Sequence, residues 1–515
     1  MTGLYTAYVR GDAAIRPFFP SAPSSVFDTP PAAHAWDESL SRDLRGLQSP
    51  GSACAFEGNE PVIITGQQAG LLTGPLYTIY KAITAVKLAD AVGRTHGVKC
   101  APVFWVHGDD HDFAEVQTAH YVSRTHELKS LTYTPHADVS DWPMHRVPIE
   151  PSLHALIDQL AADVPGSELA SEIQAHLHDT LDGAQSVADW MRLLMARLFE
   201  KTALILFSPT LPSARRIATE IMERELREPM ETTRLVIEAG KRLAAAGYDT
   251  ALVRRESDCN LFLEVDGRRS KLTYEGGSYR VAGTETAYSA DDLIALLRTE
   301  PDRFTPNVVL RCLVQQRLFP VAAYVGGPGE VAYWAQFKDV FDRFGLPMPV
   351  VYPRAQAVLT TPKLTKIMKK HGLDIQSFSE QPDAVLERAL HHTATHAALK
   401  PVRDRRSNVA HELAALKDEL AAIDPGLLER CGVLTDRLNA EFDRLEGLIL
   451  HADAARVETV RQQINRLCTI LAPLRKPQER VLTIYSYLFE HGWGLVDRIM
   501  SAMDIEHFTV DEIEL

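Results

Sequence analysis

The stretch Val62-Ile-Ile-Thr-Gly-Gln-Gln-Ala-Gly-Leu-Leu-Thr-Gly-Pro-Leu-Tyr-Thr-Ile-Tyr-Lys81 decides the fold. Val62 to Ile64 is a short apolar run that reads as a buried strand. Glycines at 66, 70 and 74 make the next segment a loop. Pro75 stands where a first helical residue belongs, because its missing N–H has no helical partner to lose there. Ile79, Ile83 and Val86 continue at helical spacing. Strand, glycine-rich loop and helix in this order aim backbone N–H groups at an anion.

The loop is neither a Walker A sequence nor G-x-G-x-x-G. Gly66, Gly70 and Gly74 permit close backbone approach to a ligand. Thr65, Gln67, Gln68 and Thr73 add neutral groups that can bind a carboxylate or phosphate. Tyr77 and Lys81 follow on the first turns of the helix, and Lys81 can supply charge.

A second apolar run, Pro102-Val-Phe-Trp-Val106, opens into His107-Gly-Asp-Asp-His-Asp112. Strand, helix and strand at this spacing form a βαβ unit, hence a parallel sheet with a right-handed crossover. Ligands of such sheets sit beyond the carboxyl ends of the strands, where both motifs lie. The 107–112 cluster suits general acid–base work, a metal site, or a solvated turn that caps the next helix. Farther on, Phe319 to Val325 reads as a strand, followed by Gly326-Gly-Pro-Gly-Glu330 and a helix. Gly326, Gly327 and Gly329 could present a second set of donors, with Glu330 and Tyr333 on the first turn. Pro349 to Tyr352 is the next strand.

Around this core the pattern changes twice. Residues 130–200 read as a helical insertion. Residues 249–300 read as a second insertion with short antiparallel strands and a hairpin signal at Asp266-Gly267. The expected core therefore spans 1–382. From 383 to 472 apolar residues step by three and four: Val409, Leu413, Leu416, Leu420 and Ile423, then Leu434, Leu438, Phe442, Leu445 and Ile449. That is the pattern of a helical coiled-coil arm. Residues 473–515 are expected to return to the core.

The chain has 515 residues, enough for two or three domains. Its formal net charge of −14 argues against a dedicated nucleic-acid binder. Six scattered cysteines include no C-x-x-C pair, so a disulfide framework or zinc knuckle is not expected. The N-terminus lacks a basic segment followed by an apolar one, and no apolar run reaches the roughly 18 residues of a membrane span. The expected location is the cytoplasm.

Thr65-Gly-Gln-Gln-Ala-Gly-Leu-Leu-Thr-Gly-Pro75, the 102–112 segment and Gly326-Gly-Pro-Gly-Glu-Val-Ala-Tyr-Trp334 together resemble the cysteine ligases of bacillithiol biosynthesis, the BshC family. The resemblance covers nearly the whole chain. One departure is Asp109, where the family typically has Glu. The resemblance implies an α/β fold: a Rossmann-like parallel core, two connecting insertions and a coiled coil that forms a homodimer. It implies addition of cysteine to the glucosamine amine of glucosaminyl-malate. His-x-Gly-His and Lys-Met-Ser-Lys-Ser motifs of the similarly folded class I aminoacyl-tRNA synthetases are missing.

On this reading cysteine's carboxyl needs activation, and ATP or ADP is the expected nucleotide, met by Lys476 and Arg480. His111 is the expected base, positioned by Asp110 or Asp112. Gln67, Gln68 and the loop N–H groups would hold a substrate anion. No metal is assigned. Two rivals are a metal-dependent hydrolase using 107–112 and a non-catalytic nucleotide-binding scaffold.

Overall fold

Val62, Ile63 and Ile64 have no exposed surface, as expected of a strand covered on both faces. In the computed structural model, which describes residues 3–48, 53–391, 394–424, 426–452 and 454–515, that strand runs from Val62 to Gln68. It is the centre of a five-stranded sheet. Ala101–His107 pairs on one side and Val321–Gly326 on the other, both parallel. Ile205–Phe207 and Val350–Pro353 complete the edges, again parallel. The fold is α/β with a Rossmann-like parallel core.

The central strand is longer than the apolar run suggests. Gly66, Gln67 and Gln68 pair in register with Trp105, Val106 and His107, so they form the strand's carboxyl end, where a loop was expected. A Cβ on Gly66 would meet His107 Nε2 at 2.6 Å and the Trp105 carbonyl at 2.8 Å. Only glycine lets the two strands close here. The turn itself comes later and is strained. Leu72 and Thr73 have φ of 50° and 66°, and Gly74 has 71°. Thr483 braces it by donating its hydroxyl to the Leu72 carbonyl at 2.8 Å. The helix then runs Tyr77–His96 and ends on Gly97 in the left-handed region.

By chain contacts the protein divides into two compact units. The first contains residues 1–124, 129–357 and 479–513. Within it, helices Ser152–Asp163, Ala170–Gly183 and Val187–Leu198 precede the Ile205–Phe207 strand. A second, antiparallel sheet has Asp258–Val265 and Arg268–Glu275 at its middle. Their hairpin turns on Asp266 and Gly267, both at positive φ, as a two-residue turn requires. Phe304–Pro306 adds to the other edge of Asp258–Val265 and leads into helix Val308–Leu318.

The second unit contains residues 125–128, 358–478 and 514–515. Helices Ala394–Ile423 and Gly426–Ala452 run antiparallel: Arg403 pairs with Glu446, and Arg406 with Asp443. The first of these helices stops at Ile423 and the second starts at Gly426; Pro425 lies outside the described residues. Helix Ala454–Leu471 follows.

Arg354, just past the Val350–Pro353 strand, makes a bidentate pair with Glu479 at 2.8 and 2.5 Å. Both side chains are at most 5% exposed. Glu479→Ala strands the guanidinium and should cost about 3–5 kcal/mol, read as a lower urea midpoint. An unchanged midpoint would remove this pair from the contacts that hold the returning segment.

Candidate active site

Beyond the carboxyl ends of the parallel strands lies a cavity of about 570 Å³, built within the first unit. Six basic side chains and four carboxylates line it. Such a mixture suits ligands that carry both charges.

One wall is organised by Lys81, only 3% exposed on helix Tyr77–His96. Its ammonium donates to the Gly66 carbonyl at 2.9 Å and to Gln67 Oε1 at 3.0 Å. It pairs with Glu330 Oε2 at 2.5 Å. Gln67 donates onward to the Tyr77 hydroxyl at 3.2 Å. Glu330 accepts from the Gly327 N–H at 2.8 Å and from the Tyr324 hydroxyl at 2.5 Å. Burial raises its carboxyl pKa, but Lys81 and these donors outweigh burial, so it ends below the usual carboxylate value.

The opposite chemistry gathers at 107–112. Gln68 donates to Asp110 Oδ2 at 2.8 Å. Asp110 Oδ1 accepts from the His111 N–H at 2.8 Å. Burial raises the Asp110 carboxyl pKa; the His111 side chain, Arg269 and Gln68 together bring it well below its ordinary value. Arg269, 7% exposed in the antiparallel sheet, is fixed by three acceptors. It donates to Thr305 Oγ1 at 2.7 Å, to the Pro306 carbonyl at 2.9 Å and to His111 Nδ1 at 2.8 Å. Its guanidinium lies 3.7 Å over the Phe262 ring. A guanidinium stays protonated, so Nδ1 must accept. Neutral His111 therefore carries its hydrogen on Nε2, 3.9 Å from Asp112 Oδ1.

Asp110, His111 and Asp112 could gather around an ion, their ligand atoms lying within 4.8 Å of one another. Arg269 already supplies a positive charge there, 3.6 Å from Asp110 Oδ1.

The sequence candidates divide. Gly66, Gln67, Gln68, Tyr77, Lys81, Asp110, His111, Asp112, Gly327, Gly329, Glu330, Tyr333 and Arg480 line the cavity. Thr65 is buried and spends its hydroxyl on the Val325 carbonyl at 2.8 Å. Gly70, Thr73 and Gly74 belong to the strained turn, which supports the wall without lining it. Gly326 ends its strand, its carbonyl accepting from the Arg354 N–H. Lys476 falls in the second unit. Of the expected cradle, Thr65, Gly70, Thr73, Gly74 and Gly326 thus stand behind the wall, and with the strand extended through Gln68 the side chains of Gln67 and Gln68 face the cavity instead.

Arg254, Arg269, Arg311 and Arg354 also line the cavity and were not anticipated. Arg354 follows a strand's carboxyl end, and the rule that singled out 107–112 would have found it. The other three come from the second sheet, its lead-in and the Val308 helix, with no local motif. Asp109 is 5% exposed and acts electrostatically on Arg215 and Arg269.

Burial, then the charge of Arg311, holds the His107 imidazole well below its usual pKa. Burial also lowers the pKa of His145. The unfolded chain takes up these protons near pH 6.5, whereas the folded chain refuses them. Stability should be intact above about pH 6.5 and fall below it, by up to about 1.4 kcal/mol per pH unit for each histidine. Urea unfolding between pH 7.5 and 5 should show this slope, and His107→Gln should flatten it. An equal slope in the variant would contradict a neutral, buried His107.

Residues 56–355 match the family model described as "Bacillithiol biosynthesis BshC, N-terminal Rossmann-like domain". Residues 357–514 match its "C-terminal coiled-coil domain". Relatives named "Putative cysteine ligase BshC" occur in several bacteria. The Salinibacter ruber protein is 32% identical over 442 residues, covering 86% of this chain and 80% of that one. The Symbiobacterium thermophilum protein is 32% identical, covering 86% and 82%. A Thermus thermophilus protein is 34% identical, covering 89% and 90%. Matched in both its α/β core and its helical arm, the chain belongs to the BshC family of bacillithiol biosynthesis.

Proposed function

We propose that this protein joins cysteine, through its carboxyl group, to the glucosamine amine of glucosaminyl-malate. One observation carries the reading beyond family membership: a single cavity holds both ionised carboxylates and an excess of basic side chains. Both substrates carry an ammonium and at least one carboxylate, so both need such a site.

The bond formed is an amide, and the carboxylate oxygen leaves in activated form. ATP, when bound, would supply that activation. Arg480, exposed at the cavity, is the residue suited to its phosphates.

The amine must lose a proton before it attacks. The Arg269 bond revises the expectation that His111 is the base. With Nδ1 occupied, His111 offers Nε2–H as a donor to the developing oxyanion. Asp110, held strongly acidic, anchors the ammonium. Asp112, with a half-exposed side chain, takes the proton and passes it to solvent.

Mass spectrometry of purified protein with cysteine, glucosaminyl-malate and ATP should show the amide. His111→Ala removes this donor and should lower kcat by about 10²–10³. No product, under conditions where an active relative makes it, overturns the assignment.

We also propose a homodimer through the arm. Leu416, Ile423, Leu428, Val433, Leu434, Leu445 and Leu448 on its two long helices are exposed, an apolar set that a second copy of the arm would cover. Sedimentation should give a dimer, and Leu434→Glu with Leu445→Glu a monomer. A monomeric wild-type protein would refute this.

A further inference from the structure

Arg311 has no role in the chemistry above, yet it is one of the most buried charges at the cavity, 6% exposed in the first turn of helix Val308–Leu318. Lys81, Arg269 and Arg354 each face a carboxylate. Arg311 is held only by neutral groups: the Gln315 side-chain oxygen, and the Tyr333 hydroxyl at 3.1 Å. It forms no ion pair among the described residues. Arg254, also at the cavity, donates to Asn260 Oδ1 at 2.9 Å and likewise forms no ion pair among them. Its Nε is buried without a hydrogen-bond partner. The N-terminus of the Arg311 helix opens at the same cavity through Asn307 and Val308, adding the positive end of an eleven-residue helix.

Glu330 acts on Arg311, and Asp258 and Glu225 on Arg254, only at a distance, so neither guanidinium has a carboxylate in contact; that is costly for a buried group, and the usual remedy is a ligand that brings an anion. We propose that Arg311 and Arg254 form a carboxylate-binding subsite that takes the malyl group of the acceptor. This deepens the ligation reading and rests on it. The choice between the two substrates follows from charge. Cysteine's carboxylate loses its charge when the amide forms, so a permanent cation would oppose the reaction by favouring the ionised reactant. The malyl carboxylates keep their charge from binding to release, and fixed guanidinium groups hold them throughout without resisting the chemistry.

Calorimetric titration of the full-length protein with glucosaminyl-malate, L-malate and L-cysteine tests this. Arg311→Gln and Arg254→Gln should each weaken glucosaminyl-malate binding by about tenfold or more, weaken L-malate in parallel and leave cysteine unchanged. Arg311→Lys should recover part of the loss. Circular dichroism identifies a variant that fails to fold, and the other variant then decides. Unchanged glucosaminyl-malate affinity in a folded variant, or loss of cysteine binding instead, overturns the subsite. Arg311-dependent malate binding in a protein that forms no amide would keep the subsite and reject the reaction.

Discussion

The buried ion pair between Lys81 and Glu330 is the contact on which the site depends. It ties helix Tyr77–His96 to the turn at Gly326–Glu330, two elements about 250 residues apart in sequence. The same ammonium reaches back to the Gly66 carbonyl and to Gln67. Three pieces of chain, the Val62–Gln68 strand, the Tyr77–His96 helix and the turn at Glu330, are thereby fixed around one charge. An ammonium this deeply buried is tolerated only because every hydrogen is donated and a carboxylate lies against it. Loss of either partner would leave a bare charge beneath the cavity floor.

Across the cavity the same economy of charge holds with a different cation. Arg269 is held by Thr305, Pro306 and Phe262, and it meets His111 and Asp110 from a direction the 107–112 turn cannot supply itself. A lysine could not hold three acceptors in one plane while stacking on a ring. The antiparallel sheet therefore does more than lengthen the chain. It delivers the group that sets which nitrogen of His111 carries hydrogen.

Much of this is legible in the sequence. The apolar runs at 62–64, 102–106 and 319–325, each followed by glycine or acidic turns, announced the parallel sheet and the end at which ligands bind. The three-and-four spacing of leucines announced the arm. Other features were hidden for physical reasons. Gly66, Gln67 and Gln68 have little intrinsic strand preference, and pairing with Trp105 to His107 imposes their conformation. Helix Val308–Leu318 is buried nearly all round, including Arg311, Gln315 and Gln316, so it lacks the polar face that marks an ordinary surface helix. Arg254 and Arg269 sit in no motif, and only the folding of the second sheet against the first brings them to the cavity.

The central claim is that one cavity receives both substrates, with the reacting amine beside the 107–112 turn. A crystal structure with glucosaminyl-malate bound tests it most directly. The proposed reaction predicts the amino nitrogen within hydrogen-bond reach of Asp110 or Asp112, near His111 Nε2, with the sugar against Gln67 and Gln68. Ligand density elsewhere on the chain, or an amine turned away from the acidic turn, would contradict it.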